Sequence, residues 1–557
     1  MSNSLEKWLQ AIIHLGGNIM HPRSHFIAAA LVAGAALFAP MASAQTVLRV
    51  GEGNSANLDP AIAASVPDSV LFYNVYDTLV FPGVDQGTNE MRPHLAEKVD
   101  VNAAGTVYTI KLRPNVKFHT GNTMTAEDVV FSLERFLALK RGNSFLFDGW
   151  VSSVVAKDPL TVEVTLKKPY STFFSALSRL GILDKKAVMA NKKEGTYGEY
   201  GDYGVAWLNT NSAGTGAYRP VAHKQTEGTE LHKFKDYFKP INAKAPDVVR
   251  LWYHQADPTV VTLFQRGEMD MGRSFIASET KETLLGIKGV TLEEEPGVAL
   301  FFIKLNNKRA PFDDVHCRRA LAFAVDYDSL VQIEKVNDKI TGAKLARGPL
   351  LSGMSGYSES QPLMKRDMAK AKAELAKCKH KPGSMKIQIS YIENSPKGEP
   401  IGLLLQLNWQ ELGFQSELQR MPWAMYTQLT SKPETTPMVG MVYTFARVPD
   451  PDAYLYNIYH SSRHGQFSAA EHFADAEVDA MLDKGRSMPI GPERTALYEQ
   501  LVKRIVDLQP SIWGYENINL YPKRDSVKVP LLENPKLQTG LSGGNYVFRM
   551  MEMQAAK

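Results

Sequence analysis

Hydrophobic and polar positions change period repeatedly along this chain, and the sharpest change lies between Gly105 and Phe136. Tyr108, Ile110 and Leu112 alternate with Val107, Thr109, Lys111 and Arg113, the two-residue period of a strand with one apolar face, expected over Thr106 to Arg113. Pro114-Asn115 turns the chain, and Val116 with Phe118 reads as a short second strand stopped by Gly121-Asn122. From Thr125 the period lengthens. Val129, Leu133 and Phe136 recur at helical spacing, and Thr125 with Asp128 three residues on is the pattern that satisfies the open amides of a helix start.

The same reading extends in both directions. Leu48 to Gly51 opens as a strand, and a helix carrying Leu71, Val75 and Leu79 on one face stops at Phe81-Pro82-Gly83. Val162, Val164 and Leu166 alternate as another strand, and Gly195 to Gly204, with three Tyr-Gly pairs, reads as an exposed loop. Strands follow at Val248 to Tyr253 and Val298 to Leu305, with Glu295-Pro296-Gly297 read as a break and an interdomain crossing. Helix and strand then alternate. Helices are expected at Asp367 to Lys377 and Glu399 to Leu412, strands at Ile387 to Tyr391 and Val439 to Phe445, and two late helices precede Ser511-Ile512-Trp513.

Composition narrows the class. The chain has 557 residues and a formal charge of +4, too close to neutral for a nucleic-acid binder. Phe26 to Phe38 is an apolar run behind His21, Arg23 and His25, followed by the small-x-small site Ala42-Ser43-Ala44, so residues 1–44 read as a signal peptide with an extended leader, Met20 being the alternative start. The run is well short of the ~20 apolar residues of a membrane span. No cysteine follows the cleavage site to carry a lipid, so a protein free in the periplasm and without a membrane anchor is expected. Cys317 and Cys378 are the two cysteines. Both fall on expected helices, and the expectation is that they remain unbridged.

The segments Tyr108 to Arg113, Asn115 to His119 and Thr125 to Val129 closely resemble the hallmark of the peptide/nickel/opine class of periplasmic solute-binding proteins, family 5, which feed ATP-driven importers. Gly214-Thr215-Gly216-Ala217-Tyr218 and Pro311 to Leu330 resemble the same family in the same order. The resemblance implies an α/β, two-lobed periplasmic binding protein fold of the Venus flytrap kind, with an extra domain inserted in the first lobe. Lobe I would comprise residues 45–83, 209–297 and 510–557, the inserted domain 84–208, and lobe II 298–509. It implies a monomeric receptor that takes a small molecule or short peptide in the interlobe cleft and delivers it to an inner-membrane ABC permease, with no cofactor.

In peptide-binding members an aspartate stands four residues before the proline of the Asp-Pro that Asp450-Pro451 matches; here Arg447 occupies that place. A guanidinium suits a carboxylate or phosphate and repels an ammonium group. Arg447 is therefore either the anchor of an anionic solute or a surface arginine paired with Asp450 or Asp452. Tyr443 and Phe445 lead into its loop, Trp423 sits where a strand feeds a helix, and Asn54 and Ser55 follow the first strand. These complete the candidate ligand-binding set. His460, His464 and His472 lack a Cys or acidic partner at ligand spacing, and no metal site is assigned, although nickel and haem carriers occur in the family. A secreted hydrolase is the rival class, but His-Glu-x-x-His and Cys-x-x-Cys are both missing from the sequence. A chaperone-like peptide binder is a third reading.

Overall fold

The computed structural model describes residues 45–554 other than Ser55, Ala64 and Asn394, and the backbone alone at residues 296–298. The signal-peptide reading thus falls outside the described residues. In chain order the fold is built from β1 (Val47–Gly51), α1 (Val66–Val75), β2 (Ala96–Val101), β3 (Val107–Leu112), α2 (Ala126–Leu139), β4 (Val151–Asp158) and β5 (Thr161–Leu166). Next come β6 (Tyr218–Lys224), β7 (Gly228–Lys233), β8 (Val248–Trp252), α3 (Asp257–Gln265), β9 (Met271–Gly272), α4 (Ser278–Leu285) and β10 (Val290–Leu305). The later elements are α5 (Val315–Ala324), β11 (Ala343–Leu345), α6 (Met368–Leu375), β12 (Lys386–Ile392), α7 (Gly398–Gln410) and β13 (Gln415–Met421). β14 (Val439–Phe445), α8 (Pro451–Tyr459), α9 (Ala476–Ser487), α10 (Pro492–Leu508) and β15 (Ser511–Arg524) complete the set.

One sheet runs through the molecule in the order β13-β12-β14-β10-β15-β9-β1-β8-β7-β6, with β11 also on β15, while β2-β3-β5-β4 forms a separate antiparallel layer. At the centre β10 and β15 are antiparallel partners from Val290↔Arg524 to Lys304↔Ser511. The expected break at Glu295-Pro296-Gly297 is instead a register shift between Pro296 and Ala299 inside one continuous strand. A bulge absorbs the extra residues and bends the strand without ending it. Beyond it, Leu300 and Phe302 face one core and Phe301, Ile303 and Leu305 the other, the two-sided burial of a central strand.

The hallmark segment does what its pattern predicts in β3 and α2. Thr125 and Asp128 form the capping box, and Asp128, Val129, Leu133 and Phe136 are buried. Arg135, on the same helix and fully buried, pairs in a two-point fork with Asp59 (Nη1–Oδ1 2.8 Å). The second strand at Val116 to Phe118 shrinks to a single bridge between Lys117 and Thr123. Likewise, α1 ends at Val75, because Val80–Pro82 pairs with Met91–Pro93 as a short antiparallel ladder. Gly214 and Gly216 serve close approach: a Cβ on either would stand 2.1 and 2.3 Å from the carbonyl oxygens of Val75 and Asn74. His119 fixes this return, its ring nitrogens lying 3.0 Å from Ser212 Oγ and 2.8 Å from Gly216 O. Among the Tyr-Gly pairs the ring of Tyr203 is buried and stacks on Tyr200, so the segment is packed and only partly the exposed loop expected.

The cysteines depart from expectation. Cys317 and Cys378 form a disulfide with Cα atoms 4.9 Å apart. Cys317 is on α5, but α6 stops at Leu375, so Cys378 lies past the helix end, where the chain is free to turn back onto α5.

Two outcomes follow. The bridge closes a loop across 61 positions, so replacing both cysteines by Ser should lower unfolding stability by roughly 2–4 kcal/mol. Denaturant midpoints would read this, and a wild-type midpoint indifferent to reductant would contradict it. Burial pushes the His119 imidazole down from 6.5 to about 4. The unfolded chain therefore binds a proton first, and this contribution is fully present above pH 6.5 and is lost as pH falls toward 4. His119→Gln should remove about 3 kcal/mol of that pH dependence, measured as the difference between urea unfolding at pH 6.5 and at pH 4.

Candidate functional site

Strand direction fixes where a ligand could lie. β1 is parallel to β8 and β9, β9 is antiparallel to β15, and β15 is antiparallel to β10, so these three strands point along β10 toward its bulge. On the other side β12 is parallel to β13 and β14, and β14 is antiparallel to β10, so they point back toward the same bulge. Two sets of carboxyl strand ends therefore face each other, and such ends are where open α/β sheets hold ligands.

Each strand delivers its next residues to this crevice. Glu52 follows β1, Tyr253 follows β8, and Arg273 and Phe275 follow β9. From the opposite half, Phe445 pairs with Ala299 at the bulge, and Arg447 comes two residues later. The Phe275 ring meets Tyr443 at 5.5 Å and Phe445 at 6.1 Å, so three aromatic rings join the two sets of strand ends. The Tyr443 hydroxyl donates to Glu334 Oε1 (3.1 Å) and lies 2.9 Å from the Tyr515 hydroxyl, which also donates to Glu334. Its pKa is held well above the usual phenol range, by burial first and then by Glu334.

Arg447 sits beside a second guanidinium. Arg179, from the segment after β5, donates through Nε to the Arg447 carbonyl (2.6 Å), lies over the Tyr73 ring, and leaves Nη2 buried without a hydrogen bond. Burial pushes Arg447 down to about 10; the Arg179 charge adds to the fall, and Asp68 and Tyr73 oppose it. Asp450 and Asp452 are taken up elsewhere. Arg494 forks onto Asp450 (2.8 and 3.1 Å), Arg486 Nε pairs with Asp452 (3.0 Å), and Asp450 caps α8 by accepting from the Asp452 amide. Thr172 of the four-stranded layer donates to Asp450 as well (3.1 Å).

On the β1 side, burial lifts the Glu52 carboxyl to about 7 against the nearby Arg273 charge. Arg273 is fully engaged, donating to Gln255 O, Phe275 O (3.0 Å) and Asp257 (2.6 Å). Among the described residues the arrangement shows no paired nucleophile and base; it is a walled crevice with cationic and acidic ends.

Of the residues expected from sequence, Arg447, Tyr443 and Phe445 share the crevice. Asn54 is exposed after β1, and Ser55 lies outside the described residues. Trp423 is half-exposed and packs on Tyr426 and Phe467. Of the histidines, His460 stacks on Tyr456, while His464 meets Phe473 O and packs edge-on, at 5.6 Å, against His472, which meets Thr436 Oγ1. Among the described residues the one grouping of potential metal ligands is Asp314, Cys317 and Cys378, whose sulfurs are spent on the disulfide. Glu52, Arg273 and Phe275 were findable as the first residues beyond parallel strands; Arg179 has no such signal, because it reaches the crevice from another layer.

Comparison with known proteins agrees with this geometry. A periplasmic protein of Escherichia coli K12 described as a probable D,D-dipeptide-binding protein, DdpA, is 26% identical over 458 residues, 81% of this chain and 84% of its own. The solved structure of DppA from Helicobacter pylori, in complex with the peptide STSA, superposes with a TM-score of 0.76 at 22% identity, covering 92% of this chain and 99% of that one. AgaA of A. tumefaciens R10, in complex with agropinic acid, gives 0.75 at 21% identity over 92% and 99%. These structures share the two-lobed binding-protein fold. Among the described residues no helix is long and apolar enough to cross a membrane. Residues 90–466 match the family described as "Bacterial extracellular solute-binding proteins, family 5 Middle", and the chain belongs to this family of binding proteins, which work with ABC importers.

Proposed function

We propose that this receptor captures a peptide-like or opine-like solute through an anionic group, with Arg447 as its anchor. The observation that carries the reading is the pair of neighbouring arginines, Arg179 buried and Arg447 partly so, at the strand end facing the crevice. Burial disfavours both cations and the Arg179 charge further disfavours that of Arg447, so a carboxylate brought between the lobes gains more there than it would in water. DdpA is described as a dipeptide binder and AgaA holds agropinic acid, so the relatives alone do not choose a ligand; the arginine in place of an acid is what favours an anion. Tyr443, Phe445 and Phe275 would line the adjacent apolar wall.

The same proposal assigns residues 45–83, 209–297 and 510–557 to lobe I, 84–208 to the inserted domain and 298–509 to lobe II, in keeping with the separate β2-β3-β5-β4 layer. Residues 1–44 act as the export signal, and the mature monomer closes on its solute in the periplasm and presents both lobes to the permease. Closure requires only that the ligand contact the closed form more favourably than the open one.

The test begins with mass spectrometry of solute released from purified, heat-denatured protein. Calorimetry with that compound should then show Arg447→Ala weakening its binding roughly 10- to 100-fold, the worth of a charged hydrogen-bonded contact. Unchanged affinity would remove Arg447 from the site, and turnover of the solute would refute the receptor reading.

A further inference from the structure

A second cavity, separate from the crevice, lies in the seam between the four-stranded layer and the half that carries α8 and α9. Its volume is about 260 Å³, and Phe145, Trp150 and Lys168 line it from one side, Tyr456, Arg463 and Arg486 from the other. The walls are aromatic and the polar groups are mostly cationic. Arg486 lies 3.5 Å from the Tyr456 ring centre and 4.6 Å from that of Trp150, held by its ion pair to Asp452. Lys168 Nζ is 4.9 Å from the Trp150 ring, and the Arg463 guanidinium is 5.6 Å from Phe145.

Arg463 is the informative residue. Its Nε is buried without a hydrogen-bond partner, and no ion pair to it occurs among the described residues. Burial and then the neighbouring Arg486 charge both disfavour its cation, while Tyr456 and Asp148 oppose them. Two acids also line the space. Asp452 is committed to Arg486, which leaves Asp148 against Arg463 and Lys168. An unpaired buried donor costs about 1–3 kcal/mol and more for a charged group, so the cavity as built is short of one negative partner.

We propose that this seam cavity is a second binding site, for a small oxyanion, inorganic phosphate or a short organic dicarboxylate, held by Arg463, Lys168 and the face of Arg486. The anion accepts from the orphaned Arg463 Nε, relieves the repulsion between the two guanidiniums, and touches both sides of the seam. Its occupancy therefore stabilises the packed arrangement of the four-stranded layer against α8 and α9, by mass action. This site does not depend on the reading of Arg447.

Thermal unfolding followed by tryptophan fluorescence tests it, with inorganic phosphate and succinate titrated in parallel at constant ionic strength set by sodium chloride. One or both should raise the wild-type midpoint saturably, and the anion that saturates at lower concentration identifies the source. Arg463→Ala should raise the half-saturating concentration at least 10-fold. Lys168→Ala, at an exposed position, should raise it about 3-fold while keeping the anion-free midpoint of the wild type. Arg447→Ala, in the other crevice, should respond as the wild type does. A midpoint that fails to saturate with either anion would overturn the site. So would a response kept in Arg463→Ala and Lys168→Ala but lost in Arg447→Ala, which would put the anion in the crevice.

Discussion

The pairing of β10 with β15 is the constraint on which the rest depends, because these two strands carry the sheet from one half of the molecule to the other. Buried polar groups hold their register on both sides of the bulge. Near the bulge, Glu295 is buried and accepts from Asn519, Tyr521 and Asn545, so its lone pairs are occupied although burial raises its pKa. At the far end Lys304 pairs with Glu471 (2.9 Å), and Ser511 donates to the same carboxylate. Sliding either strand by one residue would strand a buried charge on each side, a penalty of several kcal/mol. Both register shifts of the ladder, at Pro296/Ala299 and at Phe301/Phe302, lie between these pins, where the pairing can deform without breaking either of them.

The crevice inherits its electrostatics from that geometry. Parallel strands converging on the bulge from both sides bring Glu52 and Arg273 to one wall and Arg447 to the other, while the four-stranded layer adds Arg179. The Arg179 charge bears on a partly buried Arg447, and Asp68, itself tied to Asn57 and Ser65, is the carboxylate that opposes it there.

Much of this was legible in the sequence where a local rule decides the outcome. The Thr125–Asp128 capping box and the alternation in β3 are interactions between near neighbours in the chain, and periodicity reports them. The Asp450-Pro451 match likewise pointed to Arg447 beyond a strand, and it follows β14 by two residues. Local rules fail when a distant partner overrides them: Pro296-Gly297 reads as a break, yet β15 carries the strand through it. Cys378 reads as helical, yet the helix ends early enough for it to meet Cys317. The Arg447–Arg179 contact spans 268 positions and the Arg135–Asp59 pair 76, separations at which a single sequence carries no periodic signal.

The position of β15 in the sequence has a consequence for the order of assembly. This strand, almost the last element of the chain, is the one that bonds to β10, β9 and β11 together. A chain emerging from its N-terminus can pack the four-stranded layer and close the Cys317–Cys378 bridge while the centre of its sheet is still vacant. The two halves are joined only when residues 511–524 arrive, so the step that creates the crevice comes last and pairs strands across more than two hundred residues. The crevice is in this way set, by chain order alone, to form after both halves that flank it.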